Sequence, residues 1–188
     1  MTKNQGAAVR PALRIRAERP DDHVPIRVLV AAAFGPDDDT EDFVEAVRER
    51  AEVCLAEVAL AAGAIVGHAQ WCEAPLSVSG QRLRAAYLSC LSADPALQRR
   101  GIGSALVRSG LRQLAGRGYA AATLLGDPTY YSRFGFSSAL AERIDAPHRS
   151  HGRGFQAVEL VAGALAGSAV ASDFPLIISP DGWSPKAG

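Results

Sequence analysis

The clearest pattern of apolar and polar positions in the chain lies in residues 88–136. Residues 87–93 are mostly apolar and are followed by Asp94 and Pro95, which predicts a largely buried strand that ends there. Beyond a glycine-containing turn, apolar or small residues recur at helical spacing, at Ile102, Leu106, Gly110 and Leu114. The pattern therefore predicts a strand, a glycine turn and a helix in direct succession.

The residues before this region predict an alternation of strands and helices. The expected elements are a half-buried strand at 13–17, helices opening at Pro20 and Thr40, and a hairpin of strands at 52–62 and 64–73 joined through Gly63. Residues 75–82 contain Gly80 and are predicted to be a simple connection. The helix after the glycine turn is expected to end near Gly116, because glycine is typical just past a last helical turn.

The later residues are predicted to contain a strand at 119–125, a short helix with both tyrosines of the Tyr-Tyr pair, a strand from Phe136, a long loop at 138–154 and a strand at 155–161. The interleaving of strands and helices predicts a mixed α/β sheet. We expect one domain over residues 12–170, a flexible N-terminal tail at 1–11, and a C-terminal strand or tail at 171–188.

Composition limits the classes of protein to which the chain can belong. The 188 residues are 48% hydrophobic and carry a formal net charge of zero, so one core can form and no global field would recruit nucleic acid or an anionic membrane. Cys54, Cys72 and Cys90 are widely spaced in apolar runs, which predicts buried free thiols in a reducing cytoplasm. His148 and His151 lack a directly flanking cysteine or acidic residue, so no metal site is expected.

The glycine turn has the features of an anion site. A helix that begins directly after a strand presents unpaired backbone N–H groups and the positive end of its dipole. Gly101 and Gly103 would let the backbone approach an anion closely, and an ordinary turn without ligand is the alternative. A P-loop is excluded because the chain has no Gly-Lys, and a dinucleotide fingerprint fails because Leu106 replaces its third glycine.

The residues of this region resemble those of a known family. The motif Gln98-x-x-Gly101-x-Gly103 is similar to the loop with which the GNAT N-acetyltransferase superfamily grips the pyrophosphate of acetyl-coenzyme A (acetyl-CoA). The sequence Leu-Ser-Ala-Asp-Pro at 91–95 resembles that family's strand end. The sequence Gly-Asp-Pro-Thr-Tyr-Tyr-Ser-Arg-Phe-Gly-Phe at 126–136 resembles its tyrosine segment and, with residues 155–167, the bacterial YhbS-like branch.

The resemblance implies a fold and a binding mode. The expected fold is the α/β GNAT fold, in which a mixed, mostly antiparallel sheet is splayed at its centre and flanked by helices. Acetyl-CoA would lie in the gap, and no metal would take part. The residues expected to bind it are Leu91, Ser92, Ala93, Gln98, Arg99, Arg100, Gly101, Ile102, Gly103, Ser104, Tyr130 and Arg133.

The resemblance also implies catalytic roles. Tyr131 stands four residues before Gly135, where the family's tyrosine protonates the departing thiolate. For a general base, Glu73 is the first candidate and Asp127 a weaker one, while loss of the proton to water would need no residue. Leu124 stands where many GNAT proteins have an asparagine that contacts the cofactor, a departure from the pattern.

The function that these residues imply is transfer of an acetyl group from acetyl-CoA to a primary amine, by direct attack in a ternary complex. The amine would be a small molecule or a peptide selected by residues 34–43, and a homodimer is a partner that the family admits. Two alternatives stay open. One is a non-catalytic CoA-binding regulatory or scaffold module, and the other is a nucleic-acid or protein interaction domain in which the glycine turn binds nothing.

Overall fold

The computed structural model describes residues 12–50, 52–146 and 152–171. The predicted tail at 1–11, His148, His151 and nearly all of the predicted C-terminal segment lie outside these described residues. The strands are β1 Arg14–Ala17, β2 Val53–Ala61, β3 Ala64–Glu73, β4 Leu76–Val78, β5 Gln81–Leu83, β6 Ala85–Ala93, β7 Ala121–Leu125, β8 Ile144–Asp145, β9 Phe155–Glu159 and β10 Ala169–Ala171. The α-helices are α1 His23–Phe34, α2 Thr40–Glu49, α3 Ile102–Gly116, α4 Pro128–Tyr131 and α5 Ser138–Ala141.

The central sheet has six strands in the order β1-β2-β3-β6-β7-β9. All neighbouring pairs are antiparallel except β6 and β7, which run parallel because α3 connects them as a crossover. The β2–β3 hairpin turns at Ala62 and Gly63, both with positive φ, as a tight hairpin turn requires. The predicted hairpin and the predicted mixed α/β sheet are confirmed.

The sheet opens between its two parallel strands. The ladder joins residues 85–88 of β6 only to residues 121–124 of β7, and β6 then continues to Ala93 without β7 beside it. A bulge lies at this point, since Leu88 faces Trp71 of β3 and Cys90 faces Gln70, which leaves Ser89 as the extra residue. The result is a strand edge over residues 89–93 that the central sheet leaves open.

Helices cover both faces of the central sheet. Leu106, Val107 and Leu114 of α3 pack on one face, against a core that includes Trp71 and Leu88. The other face is covered by α1 and α2, whose buried residues are Ile26, Leu29, Val30, Val44 and Val47. The site predicted after β6 is therefore fixed at one end of α3, which the core holds rigidly.

The protein has a second, four-stranded sheet, and three predictions for residues in and near this sheet are wrong. Its order is β5-β4-β10-β8, so residues 75–82 form most of a hairpin and are not a simple connection. Residues 138–154 contain α5 and β8 and are not one long loop. No strand begins at Phe136, where the chain makes only an isolated bridge from Ser137 to Ala157 before α5. Three-residue strands are too short to produce a recognisable period in the sequence.

Candidate active site

The glycine turn connects the open end of β6 to α3 through unusual backbone geometry. Asp94 accepts a hydrogen bond from the N–H of Ala96 at 2.8 Å and starts a short 3-10 helix, Pro95–Leu97. Arg99 then adopts a φ of +58° and Gly101 a φ of +90°, both in the left-handed region. A left-handed arginine costs about 1–2 kcal/mol relative to the right-handed conformation. Such strain is typical of functional loops.

The first turn of α3 is open for a ligand. Gly101 is the N-cap residue and makes no side-chain capping bond, and the helical ladder starts with the N–H of Ala105 donating to the carbonyl of Gly101 at 2.9 Å. The N–H groups of Ile102, Gly103 and Ser104 precede that bond, so the helix itself provides them with no acceptor. Together with the helix dipole, these groups form a positive site that fits a phosphate.

Tyr130 lies directly over this turn. Its hydroxyl oxygen is 2.7 Å from the position that a Cβ on Gly103 would occupy, so a larger residue at 103 would force the Tyr130 side chain to shift. The guanidinium of Arg133 stacks over the Tyr130 ring at 4.8 Å from its centroid. The Leu91 side chain is 3.6 Å from the same Cβ position on Gly103. The structure therefore brings together four predicted binding residues from β6, α3 and the tyrosine segment.

Tyr131 ends α4 and lies between the two separated strands. Its ring contacts Gly126, the residue after β7, at the point where a Cβ would overlap it. Burial raises the pKa of the Tyr131 hydroxyl, and its neighbours Tyr130, Cys90 and Asp127 raise it further. The raised pKa keeps the Tyr131 hydroxyl protonated at neutral pH, so that it can act as a proton donor.

Glu73 is not brought to this site. It pairs with Ala86, inside the part of β6 that is still joined to β7, and the sheet opens only after Leu88. Its carboxylate is engaged at that end of the sheet, where it accepts a hydrogen bond from Tyr119 and pairs with Arg84 at 3.3 Å. The structure gives the general-base prediction for Glu73 no support, because antiparallel register carries the end of β3 away from the gap.

The remaining predicted residues have structural partners. Asp127 accepts a hydrogen bond from the N–H of Thr129 at 2.8 Å and caps α4. Leu124 is fully buried and faces Leu88 across the last rung of the parallel ladder, in a position where an asparagine would have to bury its amide. The three cysteines are free thiols, with Cys72 and Cys90 buried and Cys54 half-buried.

Sequence reasoning missed two polar residues that hold the opening in place. Gln70 is buried, donates to the carbonyl of Val44 in α2 at 3.1 Å, and accepts from the bulged Ser89 at 2.9 Å. Gln156 of β9 is also buried and donates to the carbonyl of Gly126 at 3.0 Å. Buried amides in otherwise apolar strands are a weak sequence signal, and their partners come from distant segments.

The loop between α1 and α2 reaches the same region. Asp38 accepts a hydrogen bond from the N–H of Thr40 at 2.9 Å, and its charge is one of the groups that raise the pKa of Cys90 on β6. Phe34 and Phe43, at the two ends of this loop, pack against two different core clusters. Phe34 therefore brings the start of this loop next to the cluster that contains Cys90 of β6, on the face that α1 and α2 cover.

Neither a metal-binding cluster nor a membrane-spanning helix is found among the described residues. They contain no group of three or more histidine, cysteine or acidic side chains able to hold a metal ion. In the same residues, no helix has the length and apolar character needed to cross a membrane.

A family model described as an acetyltransferase (GNAT) domain matches residues 14–139. The chain belongs to the GNAT acetyltransferase family and is an acyltransferase of the N-acetyltransferase type. The expected GNAT fold is confirmed by solved relatives, and so is the similarity to the YhbS-like branch.

Two relatives are similar to this chain over most of its length, and one of them matches by sequence and by structure. An uncharacterized N-acetyltransferase, YhbS of Escherichia coli K12, is 32% identical over 154 residues, which cover 81% of this chain and 90% of that protein. The crystal structure of Escherichia coli YhbS in complex with CoA matches with a TM-score of 0.76 and 30% identity, over 86% of this chain and 90% of that one. A GNAT acetyltransferase from Brucella melitensis in complex with acetyl-CoA matches with a TM-score of 0.64 and 33% identity, over 79% and 88%.

Proposed function

We propose that this protein transfers the acetyl group of acetyl-CoA to a primary amine by direct attack in a ternary complex. One observation carries the proposal: residues 94–101 join the uncapped first turn of α3 to the β6 edge that β7 leaves open. A phosphate site at one end of an open strand edge suits a ligand with a pyrophosphate and an amide-containing arm. The relatives solved with CoA and with acetyl-CoA support this choice of ligand.

The binding residues divide by the part of acetyl-CoA that they would hold. The edge of Leu91, Ser92 and Ala93 would pair with the amides of the pantetheine arm as an added strand does. The pyrophosphate would rest on the glycine turn, where the arginines would add positive charge and the serine would add a hydroxyl donor. The residues of this turn are Gln98, Arg99, Arg100, Gly101, Ile102, Gly103 and Ser104. Tyr130 and Arg133, which stack on each other, would form the outer wall.

The chemistry needs one polarising group and one proton donor from the protein. A backbone N–H of the opened strand near Leu91 would hold the thioester oxygen as negative charge develops. The amine nitrogen attacks the carbonyl carbon, the carbon–sulfur bond breaks, and the sulfur takes the proton of the Tyr131 hydroxyl. The buried phenol with its raised pKa suits this role because it stays protonated until the thiolate forms.

The amine proton leaves without a side chain that we assign as its acceptor. Glu73 is held at the closed end of the sheet by Tyr119 and Arg84. The amine would therefore enter neutral, and after it attacks the carbonyl carbon its nitrogen would lose one proton to water, from which the Tyr131 phenolate would recover the proton it gave to the sulfur. Residues 34–43, which begin at Phe34 beside the cluster that contains Cys90 of β6, would select the acceptor, a small amine or a peptide.

The test is an acetyl-transfer assay that measures release of free CoA thiol with a panel of primary amines and peptides. The variant Tyr131→Phe should lower kcat by about 10²–10⁴-fold, since a positioned acid contributes that much, while CoA affinity changes little. The matched control is Tyr119→Phe, which removes a buried tyrosine hydroxyl from the closed end of the sheet and should leave kcat nearly unchanged. Equal rates for Tyr131→Phe and the wild type would overturn the assigned role, and folded protein without any CoA affinity would overturn the proposed function.

A further inference from the structure

The bulge at Ser89 changes which backbone groups of β6 face the gap. In a regular strand, the N–H and C=O groups of successive residues point alternately to the two neighbouring strands. Before the bulge, the carbonyl of Ala85 points to the β3 side, because it accepts a hydrogen bond from the N–H of Ala74 at 2.9 Å. Regular alternation from Ala85 would therefore turn the N–H of Leu91 towards β3.

Beyond the bulge, the backbone of β6 has the opposite orientation. The N–H of Asp94 donates to the carbonyl of Val66 in β3 at 3.0 Å, so Asp94 faces β3. Two and four residues earlier, Ser92 and Cys90 face β3 as well, in the register of the ladder between the two strands. The N–H of Leu91 therefore points to the edge that β7 leaves open. One extra residue thus directs the N–H group that would hold the thioester oxygen.

Two polar side chains hold the bulge. The hydroxyl of Ser89 donates to the backbone carbonyl of Gln70 at 3.0 Å and to its side-chain oxygen at 2.9 Å. The side-chain nitrogen of Gln70 in turn donates to the carbonyl of Val44 at 3.1 Å. Gln70 is fully buried, so loss of either side-chain bond would leave a polar group without water to replace its partner.

The far end of this chain of hydrogen bonds is anchored in the core. Val44 belongs to α2, and the side chains of Val44 and Val47 are buried in clusters that include strand residues of the central sheet. Val44 also comes directly after residues 34–43, the loop that would select the acceptor. The bulge is therefore tied, through Gln70, to a helix that close packing holds in place.

We propose that Gln70 and Ser89 are positioning residues for the acetyl transfer, which fix the bulge so that the N–H of Leu91 faces the thioester oxygen in the gap. This inference rests on the proposed function, since it needs acetyl-CoA bound along the open edge. A donor that is fixed in advance stabilises the developing oxyanion without reorganisation during the reaction. The two side chains therefore affect the rate without contacting either reactant.

Infrared spectroscopy of bound acetyl-CoA labelled with carbon-13 at the thioester carbonyl tests the proposal. A hydrogen bond to the carbonyl oxygen weakens the C=O bond, so the stretching frequency should be higher in Ser89→Ala and Gln70→Leu than in the wild type. With the most active amine of the panel, kcat should fall by about 10- to 100-fold, and the KM for acetyl-CoA should change less than about threefold.

Two further variants serve as controls. Ser89→Thr keeps the hydroxyl at a half-buried position and should keep the wild-type carbonyl frequency and kcat. Ser109→Ala removes a serine hydroxyl that donates to the buried Glu57 at 2.7 Å, on the face that α3 covers, and should also keep both values.

The carbonyl frequency decides the outcome. A folded Ser89→Ala with the wild-type frequency would overturn the proposal while the proposed function stands, and this result does not depend on whether Gln70→Leu folds. An equal shift in Ser109→Ala would also overturn it, because the shift would then follow from lost stability and not from the bulge. A folded wild type that does not bind acetyl-CoA would instead overturn the proposed function.

Discussion

The ring of Tyr131 occupies the space into which a side chain on Gly126 would project. Gly126 follows the last residue of β7, and Tyr131 closes the short helix α4 that begins two residues later. The carbonyl of Gly126 is held by the buried amide of Gln156 at 3.0 Å. One fixed glycine therefore sets the position of the proposed proton donor in the gap between β6 and β7.

Replacing this glycine should separate binding from turnover. Gly126→Ala places a methyl group against the Tyr131 ring, so the ring must shift and kcat should fall by about 10- to 100-fold, as expected for a misplaced proton donor. Affinity for CoA should change less than threefold, because the pyrophosphate turn is untouched. Steady-state kinetics and calorimetry check this, and Gly116→Ala, whose added methyl group meets no atom within 4 Å, is the control. Unchanged kcat in folded Gly126→Ala would contradict the assignment.

The surroundings of Gly110 and Gly116 predict that alanine at these two positions of α3 has opposite effects on stability. A Cβ on Gly110 would lie 2.5 Å from the indole nitrogen of Trp71, which is fully buried. Gly110→Ala should therefore lower the free energy of unfolding by about 1–3 kcal/mol through overpacking. Gly116→Ala in the same helix meets no atom and should be neutral or stabilising by up to about 1 kcal/mol. Urea unfolding measures both, and equal effects would contradict the packing described for Trp71.

The buried contacts of Glu18 predict that the free energy of unfolding falls at acidic pH. Glu18 accepts from Arg48 at 2.9 Å and contacts Nε2 of His68 at 2.8 Å, with His23 at 3.2 Å. Burial raises the pKa of the Glu18 carboxyl, but its bonds to His68 and Arg48 outweigh burial, and the net pKa is lowered from 4.5. A lowered pKa in the folded state stabilises the protein above the unfolded value, and this stability is lost as the pH falls through the folded pKa.

The corresponding variant is Glu18→Gln. It should lower the free energy of unfolding at pH 7 by about 1–3 kcal/mol, because charged hydrogen bonds are lost. The difference from the wild type should shrink as the pH falls below about 4.5, where the Glu18 carboxylate of the unfolded chain takes up a proton before that of the folded protein does. Thermal unfolding between pH 3 and 7 measures this, with the exposed Asp21→Asn as the control. A difference that stays constant across this range would contradict the ion pair.

For Glu57 we expect the free energy of unfolding to depend on pH in the opposite direction from Glu18. Glu57 is 1% exposed, and its carboxylate accepts bonds from Ser109 at 2.7 Å and Gln113 at 2.5 Å. It forms no salt bridge within the described residues, and Arg112 and Arg117 lower its pKa less than these two bonds do. Burial raises the pKa of Glu57 more than these bonds lower it, so its charged form costs stability at high pH. Glu57→Gln should raise the free energy of unfolding at pH 8 by about 0.5–1.5 kcal/mol, and the gain should vanish at acidic pH. Unfolding curves at pH 8 and pH 4 check this, and a loss of stability at pH 8 would contradict it.

Local sequence signals predicted the parts of the fold that depend on neighbouring residues. The strand of residues 87–93, the glycine turn and the helix after it follow from apolar periodicity and glycine placement, and the structure has them as β6 and α3. The small sheet could not be predicted, because β10 pairs with β4 about 90 residues earlier and each strand has three residues. Such pairing depends on tertiary contacts and leaves no local period.

The same limit applies to the candidate site. The turn and Tyr131 could be placed from spacing and resemblance, since both lie within one short region of the chain. The position of Glu73 relative to the gap could not be predicted, because it depends on the register between β3 and β6.

The most direct test of this account is calorimetric titration of acetyl-CoA into the wild type, Gly101→Glu and Gly118→Glu. Both glycines have positive φ at opposite ends of α3, so the two variants carry the same backbone strain and the same added charge. The account predicts micromolar binding by the wild type and Gly118→Glu, and at least tenfold weaker binding by Gly101→Glu. A folded Gly101→Glu that binds as tightly as Gly118→Glu would contradict the claim that the start of α3 holds the pyrophosphate.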